Sequence, residues 1–459
     1  MTALIEPRVL KGFRDFLPAA EIERRGLVER IEAVFRGFGY APIDTPALEY
    51  TEILLGKGGG ETEKQVYRFS DHGGRDVALR FDLTVPFARF AAEHRASLTF
   101  PFKRYHIAKV WRGENTQRGR YREFTQCDFD CIGSDGVAAD FEILMMMKEA
   151  LAAAGAGGLT IRLNHRGLFN RFLQTIGAAA KAVEILRAVD KLAKIGRDET
   201  LKLLAAELDQ KRAELIVNYV ETKGSWDETL DALATAAGGD NPDSERLRTL
   251  RGFMFDAGVQ DVFVIDPSIT RGLDYYTGIV FETFLDNMPS IGSVCSGGRY
   301  DNLSGLYSKE PLSGVGSSIG LDRLIAALEA LGMAANRETY AELAVICVDE
   351  GQSGAYQRIA QKFRSEGIPT EVFFEAKKQG VQFALAEKKG VRWALIPAAR
   401  LGQGGAKEAE DDTVTLRDLR TRRNIEALSV SAAIAFIRNQ KILKEERICK
   451  DETGTRVSD

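Results

Sequence analysis

The first clear pattern along the chain is a run of apolar residues at helical spacing near the N-terminus. Apolar side chains recur every three to four residues at Leu27, Ile31, Val34, Phe35 and Phe38. This spacing predicts an amphipathic helix from Pro18 to Phe38, with one buried face. Glycines at 37 and 39 end it.

Stretches rich in β-branched and aromatic residues follow this helix. They are QVYRF (65–69), DVALRF (76–81), KRYHIAKVW (103–111) and REFTQCDFDCI (122–132). Because apolar and polar residues alternate only partly in them, they predict an antiparallel sheet with one functional face. Between them, Thr84-Val85-Pro86 predicts the start of a helix that runs to about Ala96. Residues 141–153 predict a further apolar helix.

The character of the sequence changes from about His165 to Gln260. Residues 178–216 have a helical period and contain no proline, and β-rich segments resume at 261–268 and 278–285. We therefore expect a helical insertion at about 166–260 within a larger β domain that spans 1–336. Near the end of that domain, small residues from Gly314 lead into an apolar helix.

The last hundred residues alternate between strand and helix patterns. ELAVICV (342–348), TEVFF (370–374) and VRWALIP (391–397) are separated by helical stretches, a βαβαβ rhythm that predicts a separate α/β domain with parallel strands. A polar boundary places this domain at 337–439. The highly charged segment 440–459 is expected to be a flexible tail.

Composition narrows the class of protein. The chain is 44% hydrophobic and 28% charged, values typical of a soluble globular protein, and it has neither a signal peptide pattern nor an apolar run long enough to cross a bilayer. Five scattered cysteines favour a reduced, cytosolic enzyme over a disulfide framework. Cys127 and Cys131 lack the neighbouring ligands of a zinc site, and we expect no protein-bound metal. A net charge of −4 argues against non-specific coating of nucleic acid, but not against local basic strips.

Arginines are the candidates for any phosphate chemistry. GKGGGET (56–62) does not fit a P-loop, and no Rossmann fingerprint follows a strand in the N-terminal half. The segment 110–130 predicts a strand, a basic loop and a second strand, with Arg112 at the end of the first and Arg120 before the second. A guanidinium on a rigid strand can bind phosphate through two hydrogen bonds. Gln126 and Asp130 should share one face of the sheet, whereas a solvated charged loop is the alternative for the basic residues between the strands.

Two further segments join an arginine to small or polar residues. GVGSSIGLDRLI (314–325) places Arg323 near a helix start, after small residues that let a flat ligand approach the backbone. A tightly packed strand–helix junction is the alternative for it. ITRGLDYYTGIVFE (269–282) places Arg271, an aspartate and two tyrosines at a strand start, where the alternative is a hydrogen-bonded turn.

Together these segments resemble the class II aminoacyl-tRNA synthetases, and within them the histidyl-tRNA synthetase family. The ATP-site motifs match VWRGEN…GRYREF and GVGSSIGLDRL, and the histidine-specific stretches match RGLDYYTG and SVCSGGRYDNL. KGFRDFLP, DTPALE and LRFDLTVPFAR agree as well, so the resemblance covers about residues 8–425. It implies an α+β catalytic domain on a six-stranded antiparallel sheet with a helical insertion, and a C-terminal α/β anticodon-binding domain.

The resemblance also implies roles in ATP binding and catalysis. Arg112 binds the α-phosphate and the substrate carboxylate, and Arg323 binds the γ-phosphate. Glu114 lies near the adenine or the acceptor end, and Arg120 completes the ATP-binding set. Arg271 lies at the α-phosphate, and it is catalytic together with Arg112. Magnesium is expected on the outer phosphates of ATP.

For histidine, the resemblance implies that Asp130 and Tyr276 contact the imidazole. A second set contacts the amino group and backbone: Asp82, Leu83, Thr84, Gln126 and Tyr275, with Arg112 and Arg271 completing the histidine-binding residues. Because aspartates stand at 82 and 130 where many bacterial members carry glutamate, the chain is expected to lean towards the eukaryotic-type branch.

Partners follow from the same resemblance. They are tRNA-His, L-histidine and ATP, in a homodimer without membrane association. Gln117 and Arg118, in the loop 115–119, are expected at the tRNA acceptor stem, and the basic cluster of Arg417, Arg420, Arg422 and Arg423 lies in the anticodon domain.

Two non-catalytic alternatives share the fold: a regulatory subunit of ATP phosphoribosyltransferase and a stress-sensing RNA-binding module. The retained arginines and the C-terminal domain argue against the first, and the missing kinase domain argues against the second.

Overall fold

The structure is a computed structural model that describes residues 4–56, 61–270, 275–301, 303–310, 312–332, 337–398 and 413–452. Contacts divide the chain into two compact units. One comprises the described residues of 1–15 and 26–333, and the other those of 16–25 and 334–459. No helix in these described ranges is long and apolar enough to cross a membrane.

The strands of the described residues are, in chain order, β1 (Ala41–Pro42), β2 (Leu48–Tyr50), β3 (Arg68–Ser70), β4 (Asp76–Leu79), β5 (Phe102–Trp111), β6 (Glu123–Ile132), β7 (Leu159–His165), β8 (Phe263–Ile265), β9 (Ile279–Leu285), β10 (Cys295–Tyr300), β11 (Gly314–Gly320), β12 (Leu343–Val345), β13 (Thr370–Val372), β14 (Trp393–Pro397), β15 (Thr413–Asp418) and β16 (Arg423–Ser429).

The α-helices are α1 (Pro18–Gly37), α2 (Thr51–Leu55), α3 (Thr84–Glu93), α4 (Val137–Ala153), α5 (Arg166–Thr175), α6 (Ala182–Val189), α7 (Leu192–Ile195), α8 (Arg197–Glu207), α9 (Gln210–Val220), α10 (Trp226–Ala236), α11 (Pro242–Asp256), α12 (Leu321–Ala330), α13 (Ser353–Ser365), α14 (Gln379–Lys388) and α15 (Val430–Glu452).

The first unit is built on one large sheet, with strand order β1-β5-β6-β11-β10-β9-β7-β8. The six strands from β5 to β7 in this order are antiparallel to their neighbours, which confirms the predicted six-stranded antiparallel sheet. Two short strands extend it, because β1 pairs parallel with β5 and β8 pairs parallel with β7. A separate three-stranded sheet has the order β2-β4-β3.

Alternation along β5 and β6 separates the core from the opposite face of the sheet. Tyr105 on β5 pairs with Phe129 on β6, and both rings pack against Phe35 of α1, at centroid distances of 5.6 Å and 4.8 Å. Full burial of such a ring contributes about 1.5–3 kcal/mol. Since neighbouring residues along a strand point to opposite faces, Arg104 and Asp130 lie on the other side of the sheet.

The predicted helices are confirmed, although some of their ends differ, since α3 ends at Glu93 where the sequence predicted about Ala96. α1 and α3 begin where the sequence predicts them, at Pro18 and Thr84. The helix expected from Phe141 begins at Val137, because the small residues that precede Phe141 carry little apolar period but form a helix readily. The region expected to be a helical insertion consists of α5 to α11, which ends at Asp256.

The second unit contains the predicted βαβαβ arrangement. β12 lies between β13 and β14 and is parallel to both. The sheet then continues with the antiparallel strands β15 and β16, which the sequence analysis did not anticipate. Helix α15 continues to Glu452, so residues 440–452 of the expected tail are helical, and the flexibility of this segment stays a prediction. The segment that follows Val430 contains no glycine or proline before Gly454, so no helix breaker interrupts it.

Candidate active site

The central strands of the large sheet present a polar row on the face opposite the aromatic core. Asp130 on β6 pairs with Arg104 on β5 and with Gly316 on β11. Gly316 in turn pairs with Gly298 on β10. Paired residues in adjacent strands point to the same face, so a carboxylate and a guanidinium lie beside a strip of residues without side chains. The register therefore builds a charged recess on the sheet.

Asp130 is held from two directions inside this recess. The Arg104 guanidinium nitrogen Nη2 lies 2.6 Å from Oδ2, and the Tyr300 hydroxyl donates to Oδ1 at 2.5 Å. All three side chains are buried. Burial raises the pKa of Asp130, whereas Arg104 and the Tyr300 hydrogen bond act to lower it. The carboxylate is thus fixed in position, and its two neighbours favour its charged form.

Two more buried carboxylates lie near Asp130. Burial raises the pKa of Asp82 to about 6 and that of Asp128 to about 7. Among the described residues, Oδ2 of Asp82 and Oδ1 of Asp128 have no hydrogen-bond partner, nor has Oε1 of Gln126, whose amide donates to the Ser318 hydroxyl at 2.7 Å. A buried acceptor without a donor costs about 1–3 kcal/mol. Several such acceptors together indicate a site for a ligand that carries N–H donors.

The predicted segment 82–84 and the tyrosine pair border these carboxylates. Leu83 presents its carbonyl to Arg104 at 3.3 Å. The Tyr275 ring lies 4.7 Å from the Tyr276 ring and 6.1 Å from that of Tyr300. Burial raises the pKa of Tyr275 well above its ordinary value, to which Tyr276 and Asp82 also contribute, whereas a hydrogen bond with Thr84 lowers it. The tyrosine therefore stays a neutral phenol beside the acids.

The predicted ATP-site arginines lie together beyond the end of β5, the start of β6 and the end of β11, which share one edge of the sheet. Arg112 donates through Nε to the Phe81 carbonyl at 2.8 Å. One carboxylate, that of Glu114, lies 3.9 Å from Nη1 of Arg112 and 4.0 Å from Nη1 of Arg120. These contacts are ion pairs at long range, so the guanidiniums keep donors available for a second anion.

Arg323 completes this group from the start of α12. It donates through Nη1 to the Ser293 carbonyl. Burial lowers its pKa to about 10, and the positive charges of Arg120 and Arg112 add to that effect, whereas Glu282 and Glu114 oppose it. The charges of Arg112 and Arg120 thus disfavour the charged form of Arg323, and an added polyanion, such as a triphosphate, would offset this repulsion.

The loop between β5 and β6 is shaped by Gly119. Its φ is +70°, a conformation that L side chains rarely adopt, and a Cβ there would lie 3.3 Å from Cα of Arg323. Gln117 pairs with Arg120 across the turn. Gln117 and Arg118, the candidate tRNA contacts, are both exposed at its tip.

Arg271, the predicted catalytic residue, lies outside the described residues, as do residues 272–274. The structure describes the chain on both sides, at Thr270 and Tyr275. It brings together the other predicted residues for histidine and ATP in the two groups above.

Four residues that contact the predicted site residues or influence their charge were missed from the sequence: Arg104, Asp128, Glu282 and Tyr300. Asp128 lies two residues from both Gln126 and Asp130, so the alternation used for that pair includes it. Tyr300 lies within the quoted stretch SVCSGGRYDNL. Arg104 and Glu282 had no signal of their own, because their part in the site depends on pairing between strands.

The second unit carries the predicted basic cluster at the turn between β15 and β16. Arg417 donates to the Asn424 side chain at 2.8 Å and lies over the Phe383 ring. Arg420, Arg422 and Arg423 follow at the turn and are exposed. The turn thus presents several cations on one surface of this unit.

Comparisons with known proteins agree with this geometry. The family model for histidyl-tRNA synthetase matches residues 12–324, and that for an anticodon binding domain matches residues 342–440. The chain is 52% identical to a histidine–tRNA ligase of Treponema denticola over 452 residues, 96% of this chain and 100% of that protein. It is 47% identical to one of Rhodopirellula baltica over 413 residues, 89% and 93% of the two chains. The crystal structure of histidyl-tRNA synthetase from a Nostoc species superposes with a TM-score of 0.82 at 31% identity, covering 95% of this chain and 100% of that one.

These sequence relatives are bacterial, so the expected leaning towards the eukaryotic-type branch is wrong. The expectation rested on the short carboxylates at 82 and 130. Arg104 and Tyr300 reach Asp130 directly, so an aspartate is accommodated by the surrounding pocket and does not mark a lineage.

Proposed function

The chain belongs to the histidyl-tRNA synthetase family, and from that premise we propose how its residues divide the work of a histidine–tRNA ligase. Such an enzyme activates L-histidine with ATP to histidyl-adenylate and diphosphate. It then transfers histidine to the 3′ end of tRNA-His and releases AMP. The first step needs recognition of histidine and stabilisation of charge at the α-phosphate.

Histidine binds in the recess around Asp130, and the observation that carries this assignment is the group of buried acceptors without donors. The amino group and imidazole of histidine carry N–H donors that match the unpartnered oxygens of Asp82 and Gln126. Asp130 and Tyr276 contact the imidazole, and Thr84 and Tyr275 border the amino group. A site that hydrogen-bonds both ring nitrogens rejects amino acids that lack them, because its own polar groups would stay unpaired.

ATP binds along the arginine group. Arg112 contacts the α-phosphate and the histidine carboxylate, Arg323 the γ-phosphate, and Arg120 and Glu114 the remainder of the nucleotide. In-line attack by the histidine carboxylate on the α-phosphorus concentrates negative charge there, where fixed guanidiniums stabilise it. We assign a second guanidinium at this phosphate to Arg271, from the family resemblance.

Magnesium accompanies the outer phosphates of ATP. Glu114 and Glu282 are the carboxylates that influence the pKa of Arg323, and Mg²⁺ is usually held by one or two carboxylates together with substrate phosphates. The residues present therefore fit the ion, which would neutralise charge on the leaving diphosphate.

The tRNA contacts both units. Gln117 and Arg118 at the exposed loop tip approach the acceptor stem, and the cluster around Arg420 approaches the anticodon.

A homodimer forms through the region of DTPALE. Leu48, Tyr50 and Phe69 are exposed apolar side chains there, on one face of the three-stranded sheet, and such a face favours association. Catalysis belongs to residues 1–336 and anticodon binding to residues 337–439, and the protein acts in the cytosol.

Exchange of pyrophosphate into ATP tests the assignment. Purified protein should exchange rapidly with histidine and at background rates with the other amino acids. Arg271→Ala should lower kcat by about 100- to 1,000-fold, the range typical of a lost transition-state donor, with a much smaller change in KM for histidine. Arg438→Ala, which removes an exposed ion pair in the second unit, is the control.

Equal exchange with several amino acids would overturn the histidine assignment. A collapse of histidine affinity in Arg271→Ala would instead reassign Arg271 to substrate binding. If histidine does not stimulate pyrophosphate exchange in the wild-type protein, the result would favour a non-catalytic paralogue of the same fold.

A further inference from the structure

A buried arginine connects the two sides of the histidine-specific segment. Arg166, the first residue of α5, donates through Nε and Nη2 to the Thr270 carbonyl at 3.2 Å and 3.1 Å, and through Nη1 to the Tyr276 carbonyl at 3.1 Å. Its backbone N–H donates to the Gly278 carbonyl at 2.9 Å. The same residue thus contacts the chain before residue 271 and after residue 274.

The neighbouring residues reinforce this attachment on each side. Asn164, two residues before Arg166, donates to the Pro267 and Ile269 carbonyls at 3.1 Å and 2.9 Å. On the far side, the Thr277 hydroxyl donates to Asp301 at 2.5 Å. The path of the backbone into and out of the segment is therefore set by side chains from β7, from α5 and from the residue that follows β10.

A guanidinium is suited to this task for a physical reason. Its donors lie in one plane at fixed angles. Two carbonyls bound by the same guanidinium must therefore keep a set separation. A lysine ammonium is a single point on a flexible stem and cannot reproduce that spacing.

We propose that Arg166 is a positioning residue for histidine activation. By fixing the distance between the carbonyls of Thr270 and Tyr276, it places the tyrosine pair relative to the substrate. The proposal rests on the histidine-binding function assigned to Tyr275 and Tyr276 above. It predicts that replacement of Arg166 changes KM for histidine and kcat, and changes KM for ATP much less. The arginines assigned to ATP lie on other elements of the fold.

The test compares Arg166→Lys with a matched control, Arg212→Lys. Arg212 also donates through Nε to a backbone carbonyl, that of Ile176 at 2.9 Å, but it lies on α9 and its partner carbonyl is outside residues 267–278. Pyrophosphate exchange is measured per folded molecule, with KM for histidine and for ATP determined separately. Arg166→Lys should raise KM for histidine and lower kcat, each by about tenfold or more, and change KM for ATP by less than about threefold. The control should change none of these beyond about twofold.

Hydrogen exchange of the backbone amides supplies a second measurement that does not need activity. In Arg166→Lys, amides of residues 275–280 should exchange at least tenfold faster, with those of α12 unchanged. If Arg166→Lys does not fold, Arg166→Gln, which keeps one donor group, is used in its place. Loss of folded protein alone would lower total activity without moving either KM.

Each outcome decides the proposal. Unchanged KM for histidine and unchanged kcat per folded molecule, or equal effects in Arg212→Lys, would overturn it. If wild-type protein shows no histidine-dependent exchange, the proposed function fails. In that case the amide measurement alone decides whether Arg166 fixes the segment: faster exchange at 275–280 supports the attachment, and unchanged exchange overturns it.

Discussion

Removal of one hydroxyl group tests whether Asp130 recognises histidine. Tyr300→Phe deletes the group that donates to Oδ1 of Asp130 at 2.5 Å and keeps the ring that fills the pocket. The ring is almost fully buried, so water does not replace the lost donor easily. Arg104 remains next to the other oxygen, and the carboxylate keeps its counter-charge.

The size of the effect follows from the kind of bond that is lost. A hydrogen bond to a charged group contributes about 1.5–3 kcal/mol, and each 1.36 kcal/mol corresponds to a factor of ten. We therefore expect kcat/KM for histidine to fall by about 10- to 150-fold. Tyr300 also acts to lower the pKa of Asp130. Its removal should raise that pKa, so the loss of activity should be largest at low pH and shrink as the pH rises.

The opposite face of the same sheet offers a matched control. Tyr105 is buried and its hydroxyl donates to the Glu32 carboxylate at 2.6 Å, but it points into the aromatic core. Tyr105→Phe therefore removes the same kind of bond and should cost similar stability without altering recognition. Pyrophosphate exchange across histidine concentrations, with urea unfolding of each variant, separates the two effects.

Three results would refute the reasoning. One is a change of less than threefold in kcat/KM for histidine in Tyr300→Phe. Another is an equal fall in Tyr105→Phe, which would show that any lost tyrosine–carboxylate bond impairs the enzyme through stability. A fall in ATP affinity of the same size would likewise contradict a role specific to histidine.

Two further predictions concern Asp128 and Gly119. Burial raises the pKa of Asp128 to about 7, so the folded state retains a proton that the unfolded state releases above about pH 4. The free energy of unfolding of wild type, relative to Asp128→Asn, should therefore decrease from pH 4 to pH 7, by up to about 4 kcal/mol; a difference independent of pH in urea titrations would contradict this. Gly119→Ala places a methyl group at a φ of +70° and 3.3 Å from Cα of Arg323. It should raise KM for ATP at least threefold with little change for histidine, and an unchanged KM for ATP would show that the loop does not position Arg323.

The sequence could predict the elements and much of the site because these depend on local patterns. Helical spacing located α1, and alternation on β6 placed Gln126 and Asp130 on one face. The same alternation covers Asp128, which the family resemblance did not single out. The pair of Arg104 with Asp130 could not be predicted, because it depends on the register between β5 and β6. A shift of one residue would turn Arg104 into the core, and the sequence of the connecting loop does not specify that register.

The glycines of β10 and β11 have a structural role that the sequence did not predict. Small residues in GVGSSIG suggested close approach of a flat ligand to the backbone. In the structure, a Cβ at Gly316 would lie 2.0 Å from Oδ1 of Asp130, and one at Gly298 would lie 2.8 Å from Cδ1 of Tyr276. These two glycines therefore make room for the protein's own recognition groups, which lie across the strands rather than beside them. Because Asp130 is held by Arg104 and Tyr300, it cannot move away from an added methyl group, so the proposed histidine site requires that residue 316 has no side chain.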